Sequence, residues 1–196
     1  MSGQDSDRRQ TYSRSFQAFS LFLGLVVLVL IPLTRLVFPI MVKGERFPEA
    51  ISLMPMFYFA TMLSSIAGFL GSIFGAERKT RYIFSSTVIG GVTNIVLLHL
   101  LMPVMGISAA PLCLWIGFAI VNVMRLIWLH KREVLAFKWS WFAIYCLAFL
   151  AVTAVYMFGN MVHLIACLIL VSAVSLKLLW PLFSQVHAAF SHRKRQ

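Results

Sequence analysis

Acidic residues are scarce in this chain. Only six of its 196 residues are Asp or Glu, against seventeen Lys and Arg, and all six (Asp5, Asp7, Glu45, Glu49, Glu77 and Glu133) lie outside its long apolar runs. A proton or sodium relay needs an ionisable group at membrane depth, so the chain is not expected to couple ions by itself. A membrane-embedded hydrolase or transferase would want a paired acid and base, and the apolar runs hold none. Cysteine is equally sparse: Cys113, Cys146 and Cys167 each sit inside an apolar run, with neither a disulfide framework nor a metal-ligand spacing. No phosphate-binding lysine loop, dinucleotide glycine fingerprint, metalloprotease histidine pair or serine nucleophile elbow occurs. The expectation is a protein that is not an enzyme and uses no cofactor and no metal.

What is present is hydrocarbon. The chain is 60% hydrophobic and 12% charged, with a mean hydropathy of +0.87, and a soluble domain of this make-up would carry more apolar surface than it could bury. The bilayer is the expected solvent. A net charge of +11 would point to nucleic acid in a soluble protein, but here the basic residues fall in short clusters between apolar runs. Membrane topology accounts for them, and no nucleic-acid partner is expected.

The organising stretch runs from Ser64 to Arg125. Gly75 to Arg81 is a short polar break between two apolar runs of about 20 residues, the length that crosses roughly 30 Å of hydrocarbon. Pro103 to Gly106 is the next break and carries no charge. Met1 to Ser15 is polar, has no signal-peptide core, and is expected to stay cytoplasmic. Six spans are read: Phe16 to Phe38, Ile51 to Phe74, Tyr82 to Met102, Ile107 to Leu129, a fifth from the Trp139 and Trp141 interface to Phe158, and Met161 to Phe183. Lys131 to Lys138 is a basic loop, Gly159 and Asn160 turn the chain, and Trp180-Pro181 precedes a basic tail. In segments, residues 1–15 form the polar start, 16–131 the first four spans, 132–183 an accessory pair, and 184–196 the tail.

Counting positive charge orients this all-α, polytopic layout. Twelve of the seventeen Lys and Arg fall in the termini and the second and fourth loops, two (Lys43 and Arg46) in the first, third and fifth loops, and three (Arg35, Arg125 and Lys177) near helix ends. Both termini are therefore expected in the cytoplasm.

Polar groups within the spans are the candidate functional residues. Tyr58, Thr61, Ser65, Gly68 and Ser72 recur at spacings of three and four, which puts them on one face of the second helix, expected to meet protein or water. Ser86, Gly90 and Asn94 do the same on the third. The stripe Ser64, Gly68, Gly71 and Gly75 is expected to meet Ser86, Gly90 and Asn94 in the closest helix contact of the chain. Asn94 either lines a substrate path or serves as packing glue, the latter being the default. His99 is a ligand or an amphipathic anchor. Asn122 and Arg125, three apart, could touch an anionic head group at the inner side, although snorkelling is the first reading for Arg125, as for Arg35 and Lys177. The basic loops suit anionic lipids.

The order of features in the central stretch resembles the C-terminal part of the polysaccharide flippases, the O-antigen and teichoic-acid exporters of the MATE-like superfamily. There a small-residue helix ends in a Gly/Ala turn with a basic run to Thr, matched by Gly71, Gly75, Ala76, Lys79 and Thr80. The next helix carries an Asn nine residues before a Pro, then Gly-Ile and a small-residue start, matched by Asn94, Pro103, Gly106, Ile107, Ala109 and Ala110. Leu98, beside His99, stands where the family often has a second Asn. The resemblance covers about Ser13 to Lys131, and the last two spans fit an accessory pair. It implies translocation of lipid-linked oligosaccharide across the bacterial inner membrane between two lobes. It also implies that six spans of the usual twelve or fourteen are incomplete alone, so that self-association or a second multispan protein is expected. The alternative is a non-transporting membrane subunit that scaffolds glycan assembly.

Overall fold

The computed structural model describes residues 3–41, 48–132, 134–135 and 139–193, with side chains over 7–38, 51–132, 134–135 and 144–178. The expectations placed on Lys43, Arg46, Glu133, Lys138, Trp139, Trp141, Trp180 and the basic tail concern groups outside those described.

Among the described residues the chain is all-helical: α1 (Gly3–Met41), α2 (Pro48–Ala76), α3 (Thr80–Met105), a short 3-10 turn (Gly106–Ser108), α4 (Ala109–Lys131), α5 (Trp139–Phe158) and α6 (Met161–Arg193). In hydrocarbon every backbone N–H and C=O must find a partner within the chain, and a helix supplies those partners locally. The hydroxyls follow the same rule: Ser85, Thr87 and Thr93 each donate to the carbonyl four residues back at 2.8–3.0 Å. Four helical stretches are long and apolar enough to cross a membrane: 7–38, 51–76, 80–131 and 161–178. The third is 52 residues long and contains both α3 and α4, which double back along each other. The chain has the character of a multi-pass membrane protein. Helix α1 starts well before the expected span, so the polar residues after Gly3 continue the same helix.

Two turns make the hairpins. After α2, Lys79 N–H donates to Phe74 C=O (2.8 Å) and Arg78 N–H to Gly75 C=O (3.0 Å), the paired bonds that close a helix when the residue after its end turns left-handed. That residue is Arg78, at φ 55°, where glycine is usual. After α3 the chain turns at Gly106 (φ 58°, ψ −138°), whose N–H reaches Met102 C=O. This backbone region is open to glycine and strained for other residues.

Packing runs outward from α2. Helix α1 lies antiparallel on one side of it, with Phe19 stacked on Phe69 at 4.9 Å and Arg8 paired with Glu77 at 3.7 Å. Helix α4 lies parallel to α2 on another side, with Phe59 near Trp115 and Phe74 near Trp128. Helix α3 packs antiparallel on α4, while α5 and α6 pack mainly on α1. The buried side chains of α2, from Phe59 through Leu63, Ile66 and Leu70 to Phe74, form the core that joins these layers.

This arrangement corrects one expectation. The stripe on α3 does not find its closest contact on α2; it meets α4, and α2 and α3 touch sparingly. A Cβ on Gly90 would sit 2.3 Å from Val121 and 3.0 Å from the Gly117 carbonyl, whereas one on Gly68 or Gly75 would meet nothing within 4 Å. On the polar face of α2, Thr61, Gly68 and Ser72 are exposed, while Tyr58 meets Thr34 of α1.

Candidate functional site: a groove over Arg125

Helices α2, α3 and α4 enclose a groove of about 480 Å³. It exists because α4 separates α2 from α3 at one edge while small residues keep the other edge thin: Ser64 and Gly68 on α2, Gly90, Gly91 and Asn94 on α3. Its far end is apolar, closed by Ile95, Leu114 and Phe118. Its floor at the other end is Arg125.

Arg125 does not snorkel. Its side chain is buried, with 4% of the residue exposed, and its guanidinium ties α4 to both α2 and α3. Nε donates to Ser86 Oγ at 2.9 Å, one terminal nitrogen donates to the Ala67 carbonyl, and the other donates to Thr87 Oγ1 at 2.9 Å and Ile83 C=O at 3.3 Å. The planar fork of arginine suits this convergence, since its donors point in fixed, different directions. Gly71 is part of the same construction, because a Cβ there would stand 3.0 Å from the guanidinium. Every acceptor is neutral. Among the described residues the one ion pair joins Arg8 to Glu77, so no carboxylate offsets this buried charge.

The other candidates divide. Asn94 lines the groove and makes no hydrogen bond to the described residues, and its Cβ lies 3.2 Å from where a Gly117 Cβ would stand. Asn122 ties α4 to α2, donating to Leu63 C=O at 2.8 Å and to Phe118 C=O at 3.0 Å, while its buried Oδ1 has no partner among the described residues. Tyr58 lies away from the groove, its hydroxyl 2.6 Å from Thr34 Oγ1 on α1. Thr61 and Ser65 bond back into their own helix, at 2.8 and 3.0 Å. The structure thus brings Asn94 and Arg125 to one site and leaves Tyr58, Thr61 and Ser65 elsewhere, whereas sequence spacing groups Asn94 with Ser86 and Gly90 and Arg125 with Asn122. Sequence reasoning missed Thr87 and Gly91, ordinary small residues whose role follows only from which helix faces which.

A second polar cluster lies near the opposite end of the helices. Arg35 donates to the carbonyls of Tyr156 and, at 3.4 Å, Gly159, and its guanidinium carbon is 5.6 Å from the Tyr156 ring centre. It therefore caps the C-terminus of α5, where unpaired carbonyls and the helix dipole favour a cation. Tyr156 in turn donates to Ile51 C=O at 2.7 Å. Lys177 is exposed on α6, and His99 is exposed on α3. No group of three or more metal-ligating side chains is gathered among the described residues.

Comparison with known protein families, curated proteins and solved structures gives no match for this chain.

Proposed function

We propose that this chain forms one wall of a transporter that moves lipid-linked oligosaccharide across the bacterial inner membrane, with six spans and both termini in the cytoplasm. The observation that carries the reading is the groove: a small-residue, largely apolar cleft into which Ser64, Thr87, Asn94 and Arg125 bring polar groups, closed by α4 behind and open in front. A polar group in hydrocarbon without a partner costs several kcal/mol by rough transfer scales, so a cleft of this kind is suited to a surface that meets water, a head group or another protein. The residues that carry the family resemblance support it from a second direction. Gly71 makes room for Arg125 and Asn94 lines the cleft, so two positions 23 residues apart in sequence converge on one site.

The open front implies a second surface, supplied by another copy or by a separate multispan protein. Anionic lipids at the basic loops would hold the assembly in place electrostatically. Transport rather than catalysis is the natural use of such a cleft.

The experiment is reconstitution in liposomes with a fluorescent lipid-linked oligosaccharide, followed by quenching from outside. The chain alone is expected to give background translocation, and the chain with its partner a signal that falls when Asn94 is changed to Leu. Full activity from a verified monomer would overturn the need for a second surface. Absence of transport with every co-purifying membrane partner would overturn the transport reading itself.

A further inference from the structure

We propose that the groove holds one anionic phospholipid, its phosphate at Arg125 and one acyl chain running between α2 and α3, over α4, toward Leu114. Charge gives the first argument. Arg125 is buried without a carboxylate among the described residues, and the six acidic residues of the chain all lie outside its long apolar runs. Ionised groups in a low-dielectric setting are strongly disfavoured unless an opposite charge approaches. Four of the five guanidinium N–H donors are taken up by neutral acceptors, leaving one donor and the whole positive charge for an anion.

Depth gives the second. The Tyr82 and Trp128 rings lie 4.7 Å apart and tilted, with Arg132 5.2 Å from the Tyr82 ring centre, an aromatic and basic group of the kind that marks the level of lipid head groups. Arg125 lies three residues from Trp128 along α4, about 4.5 Å deeper at the helical rise. A lipid phosphate resides near that level.

Shape gives the third. From Arg125 to Leu114 the groove follows α4 for eleven residues, about 16 Å, and half of a hydrocarbon core is about 15 Å. The floor changes in the same direction from a cation to Val121, Phe118 and Leu114. The groove is thus polar at one end and apolar along one leaflet. Its volume of about 480 Å³ falls within the ordinary range for bound small molecules. Gly68 and Gly91 leave space that any side chain would fill.

This inference does not rest on transport, since a chain that moves nothing would still hold the lipid. The test uses the full chain purified in mild detergent and native mass spectrometry, with phosphatidylglycerol, phosphatidylcholine, diacylglycerol and inorganic phosphate as probes. One phosphatidylglycerol is expected to stay bound about tenfold more tightly than the other two lipids. Gly91→Leu should abolish that preference while leaving the melting temperature in detergent unchanged, because the new side chain enters open space. Arg125→Gln should also lose it. Equal retention of phosphatidylglycerol and phosphatidylcholine, or a preference untouched by Gly91→Leu, would overturn the assignment. So would inorganic phosphate alone displacing the bound lipid, since the site would then be one for a free anion.

Discussion

Gly90 and Gly117 bring the backbones of α3 and α4 together: a Cβ on Gly117 would stand 3.1 Å from the Gly90 carbonyl, and one on Gly90 3.0 Å from the Gly117 carbonyl and 2.3 Å from Val121. Neither backbone can yield without separating the helices. Gly90→Leu should therefore destabilise the protein by about 1–3 kcal/mol or more, the range for overpacking. Gly68→Leu should be neutral or slightly stabilising, because it adds helix propensity in open space. Melting temperatures in detergent check the pair, and equal losses for both would show that the contact is not where the structure puts it.

Arg125 offers a test of charge against reach. Lysine keeps the charge but not the fork, and it would leave an ammonium buried beside acceptors it cannot all meet. Methionine removes the charge and fills similar space, which often proves benign at buried ionic sites. Arg125→Lys is thus expected to be the less stable variant, by about 2 kcal/mol. The reverse order would mean that the charge, not the geometry, holds the three helices.

The left-handed Arg78 gives a local prediction. A non-glycine residue in that conformation is strained by about 1 kcal/mol, so Arg78→Gly should raise stability by up to about that amount. A loss of stability on the same change would indicate that the Arg78 side chain contributes more than its backbone conformation costs.

Arg35→Ala should loosen the end of α5 without disturbing the α3–α4 contact. Loss of a charge-assisted cap is worth about 1–2 kcal/mol, and the effect should be read as faster amide exchange over residues 155–160. Unchanged exchange there would remove Arg35 from the capping role.

Topology can be read with reporter fusions. Fusions after Glu49, Met105 and Gly159 are expected to report the outer side, and those after Lys79 and Glu133 the cytoplasm. A single fusion of opposite sign would break the six-span arrangement.

The sequence carried the helices and their breaks because hydrocarbon length and turn chemistry are local properties. The basic break at Gly75 to Arg81 and the uncharged one ending at Gly106 both lie where the chain turns. Pairing of the helices is not local. Ser86, Gly90 and Asn94 were legible as a contact face, yet their partners on α4, Gly117, Val121 and Arg125, mix one small residue with two large ones and hide the match. The inward turn of Arg125 was illegible for a related reason. An arginine less than two turns from a helix end can reach water or protein equally well, and the choice was made by Ala67, Ile83, Ser86 and Thr87 on two other helices. Tyr58 read as part of a polar face, but its hydroxyl meets Thr34 on α1, a contact no periodicity in α2 could reveal.

Helix α1 runs unbroken for 39 residues, about 58 Å at the helical rise, or nearly twice the thickness of hydrocarbon. Its aqueous end and its apolar part are consequently a single rod. A change of tilt of about 10°, well within the range helices adopt as bilayers thin or thicken, would swing the tip of such a rod by about 10 Å. Because Arg8 near that tip pairs with Glu77 at the start of the α2–α3 turn, the swing would pull on the turn itself. Such a motion would couple bilayer thickness, through one stiff lever, to the hairpin that frames the groove.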